Sequence, residues 1–185
     1  MKGNRAVLTV VVLVAVIVLG WWLFFRGDRA GRVDLIERFG EAQQKRPSPD
    51  LFSVVDATLA GETKKAIAVN PTTGSRIVWR VRVPDDGWLW VSVGMKPEVW
   101  EQEGDGVKFL VGVSDGRAYE QLFEQHVNPF ANAGDRKWLP VRVDLSTYAG
   151  EEIELIFNTY SSPPGQGDDQ RNDLALWGSP EVVVR

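Results

Sequence analysis

Cysteine is absent from all 185 residues, and histidine occurs once, at His126. The first absence excludes disulfides, thiolate nucleophiles, Cys-ligated zinc, iron–sulfur clusters and covalently attached haem, while leaving the compartment open. The second excludes a metal site built on two or three histidines and leaves any catalytic triad dependent on a single imidazole. The chain has no GxSxG elbow, Walker loop or GxGxxG stretch, and no internal repeat. Adjacent acids such as Asp85 with Asp86 and Glu151 with Glu152 sit in predicted turns, where they serve solubility and turn formation instead of facing each other across a cleft. These shortages point away from an enzyme, and no cofactor is expected.

Positive charge is also scarce. Beyond residue 25 there are 19 Lys and Arg against 25 Asp and Glu, a net charge of −6, so nucleic acid is not an expected partner. Charge of either sign is missing altogether from Ala6 to Phe25, AVLTVVVLVAVIVLGWWLFF. As a helix these residues span roughly 30 Å, the hydrocarbon thickness of a bilayer. Fourteen of them are Val, Leu, Ile or Phe, which together favour insertion by about 4 to 8 kcal/mol. A cleaved secretory signal has a shorter apolar core ending in small residues, whereas this run ends in aromatics. Trp21 and Trp22, followed by Arg26, suit the membrane interface. The reading is a single-pass anchor over residues 1–25 in contact with the lipid bilayer. Charge does not orient it, because Lys2 and Arg5 precede the span while Arg26, Arg29 and Arg32 follow it.

Residues 26–50 carry Val33, Leu35, Ile36 and Phe39 among charges, a spacing that predicts a short amphipathic juxtamembrane helix, on the membrane surface or packed beneath the domain that follows. Pro47 and Pro49 end it. From residue 51 to 185 the period becomes two. Strands are expected over residues 53–60, 65–69, 76–83, 88–95, 107–114, 119–126, 139–145, 153–160, 174–177 and 181–184, separated by turn residues such as Pro84-Asp85-Asp86-Gly87 and Asp115-Gly116. The rows Ile77, Trp79, Val81, Val83; Val107, Phe109, Val111, Val113; and Ile153, Leu155, Phe157 would line the core. This is an all-β, antiparallel, jelly-roll-type sandwich behind a transmembrane helix and a short amphipathic helix.

Three groups of residues are candidates for binding. If VRVPDDGWLWV folds as a hairpin with Val81 opposite Leu89, then Arg82 faces Trp88 and Arg80 faces Trp90, a ladder of guanidinium groups over indoles. Such a ladder either stabilises an open sheet face or offers a platform for sugar rings or a protein partner. Trp100, in an acidic, glycine-containing loop, is either a lid on the core edge or a ligand contact. Asp168, Asp169, Asn172 and Asp173 place oxygen ligands in one loop, though without the EF-hand spacing a Ca²⁺ loop needs.

Three stretches, DGVKFLVGVSDG at 105–116, WLPVRVDLSTYAGEEIELIFNT at 138–159 and DLALWGSPEVVV at 173–184, resemble the galactose-binding-like jelly rolls of carbohydrate-binding modules attached to bacterial surface and sugar-processing proteins. The resemblance covers residues 51–185. It implies that Val141, Val143 and Leu145 point inward, that Trp177 and Pro180 close the sandwich near the last strand, and that the domain works outside the cytoplasm. The expected setting is a bacterial inner membrane with the C-terminal domain periplasmic or extracellular. Two roles follow: an accessory subunit whose sandwich docks on a larger membrane protein complex, or a tethered module that recognises a cell-surface glycan.

Overall fold

The computed structural model describes residues 32–71, 74–161 and 169–185. Eleven strands run through them in two layers: β1 (Val33–Asp34), β2 (Gln44–Arg46), β3 (Phe52–Leu59), β4 (Glu62–Val69), β5 (Ser75–Arg82), β6 (Gly87–Met95), β7 (Val107–Ser114), β8 (Tyr119–Val127), β9 (Leu139–Asp144), β10 (Glu152–Tyr160) and β11 (Ala175–Val184). One sheet is ordered β3-β4-β11-β6-β9, with β1 added alongside β11, and the other is ordered β2-β5-β10-β7-β8. Every pairing is antiparallel. Among the described residues no helix is long and apolar enough to cross a membrane; the apolar run, with Trp21, Trp22 and Arg26, lies outside them.

The alternation read from the sequence is realised as burial. Ile77, Trp79 and Val81 of β5, Phe109, Val111 and Val113 of β7, and Ile153, Leu155 and Phe157 of β10 face inward from one sheet. Leu89, Val91 and Val93 of β6, Val141 and Val143 of β9, and Trp177 of β11 meet them from the other. Trp177 is the hinge of this packing. Its ring stacks on Phe157 with centroids 4.5 Å apart and receives the edge of Phe109 at 5.0 Å, while Phe157 meets Trp79 at 5.3 Å. The Trp177 indole N–H donates to Thr159 Oγ1 at 3.0 Å, so its polar edge is satisfied inside the core.

Three sequence expectations are corrected. Over the described residues 32–50 the amphipathic helix is not formed, and this segment contributes strands to both sheets. Val33 and Asp34 pair with Val182 and Glu181, Gln44 to Arg46 pair with β5, and a 3-10 turn covers Phe39–Glu41. The Asp34 carboxylate accepts the Ile36 N–H at 2.8 Å, which turns the chain after one bridge and lets Leu35 drop into the core, fully buried. The Trp79 indole then donates to Arg38 O at 3.0 Å, clamping the segment to the opposite sheet. Burial of Leu35 and ladder hydrogen bonds outweigh a helical preference worth only tenths of a kcal/mol per residue.

The second correction concerns VRVPDDGWLWV. β5 pairs with β10 and β2, whereas β6 pairs with β11 and β9. The chain therefore crosses between layers at Val83–Asp86 instead of reversing within one sheet; Val83 is buried there, and Val83 N donates to Glu151 O at 2.9 Å. The two strands expected over 174–177 and 181–184 are one strand, kinked by a bulge between Gly178 and Glu181, where Ser179 has φ +45° and Pro180 has no N–H to give.

The β9–β10 connection carries a titratable clip. Tyr148 Oη donates to Glu120 Oε2 at 2.7 Å, and burial, aided by that bond and the Glu120 charge, pushes the phenol up to about 12. A raised value in the folded state means the clip contributes fully below pH 10 and is lost as pH rises through about 12. Ultraviolet titration should show a tyrosine ionising near pH 12 in the native protein and losing that step in Tyr148→Phe. Ionisation of all three tyrosines together near pH 10 would contradict the clip.

Candidate functional site

Inward placement of Leu89, Val91 and Val93 turns Trp88 and Trp90 to the outer face of the six-stranded sheet. Register sets Trp90 between Arg142 of β9 and Glu181 of β11, and Trp88 between Asp144 and Val183. Each indole has a guanidinium over it: Arg142 is 4.9 Å from the Trp90 centroid, and Arg185, one residue beyond β11, is 5.2 Å from that of Trp88. Such stacks contribute about 0.5 to 1 kcal/mol each at exposed sites and restrain ring orientation. Trp90 stays 39% exposed. The two indoles stand about 7 Å apart along the strand, the spacing of alternate residues. Asp144 borders the platform. The Ser146 hydroxyl and backbone N–H hold its carboxyl below the usual range against slight desolvation, and the Arg185 charge adds to this.

The arginines expected over these rings are elsewhere. Arg80 and Arg82 belong to β5 in the other sheet, opposite Glu154 and Glu152 of β10, and Arg80 Nε lies 3.4 Å from Glu152 Oε1. The structure thus forms an arginine–tryptophan platform with the predicted indoles and different cations. Parity within VRVDL marks Arg142 as outward, but nothing local says that its strand lies beside β6. Trp100 is half-buried, packs between the main core and a second apolar cluster on the outer face, and donates its indole N–H to Met95 O at 2.9 Å. That places it at a core edge.

The second cluster holds a residue the sequence reading passed over. Trp138 lies across Gly94 and Gly178, where a Cβ at 178 would come within 2.7 Å of its ring, and it donates to Glu62 O at 2.9 Å. The signal was the pair of glycines at outward positions of β6 and β11, which leave room for a flat ring.

In the acidic loop, Asp168 lies outside the described residues. Asp169 receives Arg171 in a two-pronged pair, Nε to Oδ1 at 2.9 Å and Nη2 to Oδ2 at 2.7 Å, and the Arg171 side-chain bonds hold its carboxyl down at about 2. Asn172 Nδ2 donates to Glu103 O at 3.0 Å, and Asp173 is buried. Among the described residues no group of three or more His, Asp or Glu side chains gathers as a metal site.

Solved structures share this architecture. The chain is similar to a structure of the M60 catalytic domain with the CBM51-1 and CBM51-2 domains of ZmpB from Clostridium perfringens, at TM-score 0.55 and 18% identity, covering 77% of this chain and 14% of that one. It is similar to the tandem CBM51 modules of a family 98 glycoside hydrolase from Streptococcus pneumoniae, at TM-score 0.52 and 12% identity over 84% of this chain and 47% of that one. The CBM22-2 xylan-binding domain of Xyn10C from Paenibacillus barcinonensis aligns at TM-score 0.51 and 7% identity over 83% of this chain and 98% of that one. The fold is the galactose-binding-like β-sandwich of carbohydrate-binding modules. No family model matches the chain. An uncharacterized protein of Archaeoglobus fulgidus is 39% identical over 103 residues, and the match takes in 55% of this chain and a quarter of that relative's length.

Proposed function

We propose that this chain is a non-catalytic carbohydrate-binding module that holds a cell-surface polysaccharide by stacking sugar rings on Trp88 and Trp90. The observation that carries the reading is the platform itself, two indoles on alternate residues of one strand, each backed by an arginine and bordered by carboxylates. An aromatic face suits the apolar side of a sugar ring, while Arg142, Arg185, Asp144 and Glu181 suit its hydroxyls. Docking on a membrane complex is the weaker reading. A large contiguous apolar patch would mark an obligate protein interface, and among the described residues the large exposed apolar side chains Val54, Trp90, Tyr119, Phe130 and Val184 are scattered over both sheets and a loop. The solved structures it resembles, which include carbohydrate-binding and xylan-binding modules, support the same choice.

Affinity electrophoresis of the full chain in detergent through gels containing polysaccharide tests this. Trp88→Ala/Trp90→Ala is expected to weaken retention at least about tenfold, equivalent to about 1.4 kcal/mol, with a melting temperature within about 4 °C of the parent. Unchanged retention would refute the platform, and unfolding of the double variant would make its role structural.

The tether belongs to the same proposal and rests on the composition of residues 6–25. The full chain is expected to stay with membranes through an alkaline carbonate wash, with the sandwich on the extracytoplasmic side and accessible to added protease in spheroplasts. Release into the wash would remove the anchor, and protection from protease would reverse the orientation.

A further inference from the structure

The five-stranded sheet carries a second, chemically different outer face. Parity turns Arg46, Arg76, Asn158 and Leu110 outward in one cross-strand row, and Val78, Ile156 and Gly112 in the next. Val78, Leu110 and Ile156 are nearly inaccessible although they lie outside the central core, so longer neighbours lie across them. Tyr119 crosses this floor and stays 47% exposed. Its distal ring atoms occupy the space where a Cβ at position 112 would be, within 2.4 to 2.6 Å, so the ring rests directly on the Gly112 backbone. The Tyr160 ring rests in the same manner on Gly74, at 2.9 to 3.0 Å. Burial and the nearby Tyr160 raise the Tyr119 phenol, while Arg76 and Asn158 oppose the rise, which places these four side chains in one neighbourhood.

Arg76 Nε donates to Asn158 Oδ1 at 2.8 Å, and Asn158 is only 3% exposed, so the guanidinium plane is set by a buried amide. Arg46 is its direct cross-strand neighbour. Among the described residues neither arginine forms an ion pair, whereas nearby Lys108 is matched by Glu124 at 2.8 Å. Like charges directly opposite each other are unfavourable, and this pair stands on a protein of net charge −4. Two arginines at facing outward positions, one of them within electrostatic reach of an exposed ring, supply the elements of a receptor for a planar anion attached to a flat apolar face.

We propose that this face binds an acidic saccharide, a hexuronate unit stacked on Tyr119 with its carboxylate held by Arg76 and Arg46. The site is distinct from the Trp88–Trp90 platform, which lies on the other sheet, and the two can therefore fail separately.

Calorimetry on the full chain in detergent, comparing galacturonate and glucuronate trimers with their neutral galactose and glucose counterparts, isolates the carboxylate. At least one acidic trimer is expected to bind about tenfold or more tighter than its neutral partner, with the preference shrinking as salt is raised. Arg76→Gln should abolish the preference. Arg46→Gln should do the same, and because Arg46 lacks the bond to Asn158 it keeps the test valid if Arg76→Gln fails to fold. Tyr119→Ala should weaken the preferred acidic trimer by about tenfold, a loss typical of a stacking aromatic. The proposal is overturned if both acidic trimers bind no better than the neutral ones, if the preference survives Arg46→Gln, or if inorganic sulfate binds as tightly as the preferred trimer.

Discussion

Trp177→Ala is expected to cost about 3 to 5 kcal/mol of folding free energy, the range for deleting a large buried aromatic, out of a total of about 5 to 15 kcal/mol for a domain. The reason is positional. Trp177 is fully buried on the central strand β11, stacks on Phe157 of the opposite sheet and meets the edge of Phe109. Its removal leaves a cavity at the point where the two layers touch, and it orphans Thr159 Oγ1, the acceptor of the indole N–H. Thermal and urea melts should show the midpoint falling by about 10 °C or more. Trp177→Phe keeps a ring against Phe157 and gives up the hydrogen bond, so it should lie between alanine and the parent. If alanine melts within about 3 °C of the parent, the layers are not held together at this position.

Gly106→Ala comes next in size. Gly106 has φ +83°, a region where a Cβ costs about 1 to 2 kcal/mol, and that Cβ would come within 2.5 Å of the Val127 carbonyl oxygen and 2.7 Å of Asn128 Cβ. The carbonyl is backbone at the end of β8, and the adjacent segment is further tied by His126 Nε2 to Asp105 O at 2.7 Å. Relief therefore requires moving a strand end, which adds about 1 to 3 kcal/mol. Gly116→Ala is the internal control: φ is +87°, but nothing lies within 4 Å of the added carbon, so only the conformational cost applies. The pair should differ by several degrees in melting temperature, with Gly106→Ala lower. Equal shifts would mean that the β7–β8 end gives way freely.

The strips along individual strands were readable because side-chain alternation is a property of the pleat and needs no knowledge of neighbours. The strand expected over 107–114 is observed at those bounds, and Val141, Val143 and Leu145 point inward as the resemblance implied. Partnership was not readable. The parity that would put Arg82 over Trp88 in a hairpin is the same parity that sends them to opposite outer faces when the chain arches between layers, and the turn residues Pro84-Asp85-Asp86-Gly87 serve either course. The platform survived this error only in half: Trp88 and Trp90 face outward together, while their cations come from positions 142 and 185. For residues 33–39 a helical spacing of apolar residues was outweighed by a two-residue bridge to β11 and one leucine in the core.

The sequence by itself determined the two-layer class, the inward rows, the outward tryptophans and the poverty of catalytic groups, because each follows from local periodicity or composition. Only the tertiary structure decided which strands became neighbours, and with them the cation over each ring, Tyr119 on Gly112 and the facing arginines 46 and 76. Those are contacts between residues up to about a hundred positions apart, chosen by the packing of whole sheets, and no window of sequence contains the free energy that selects them.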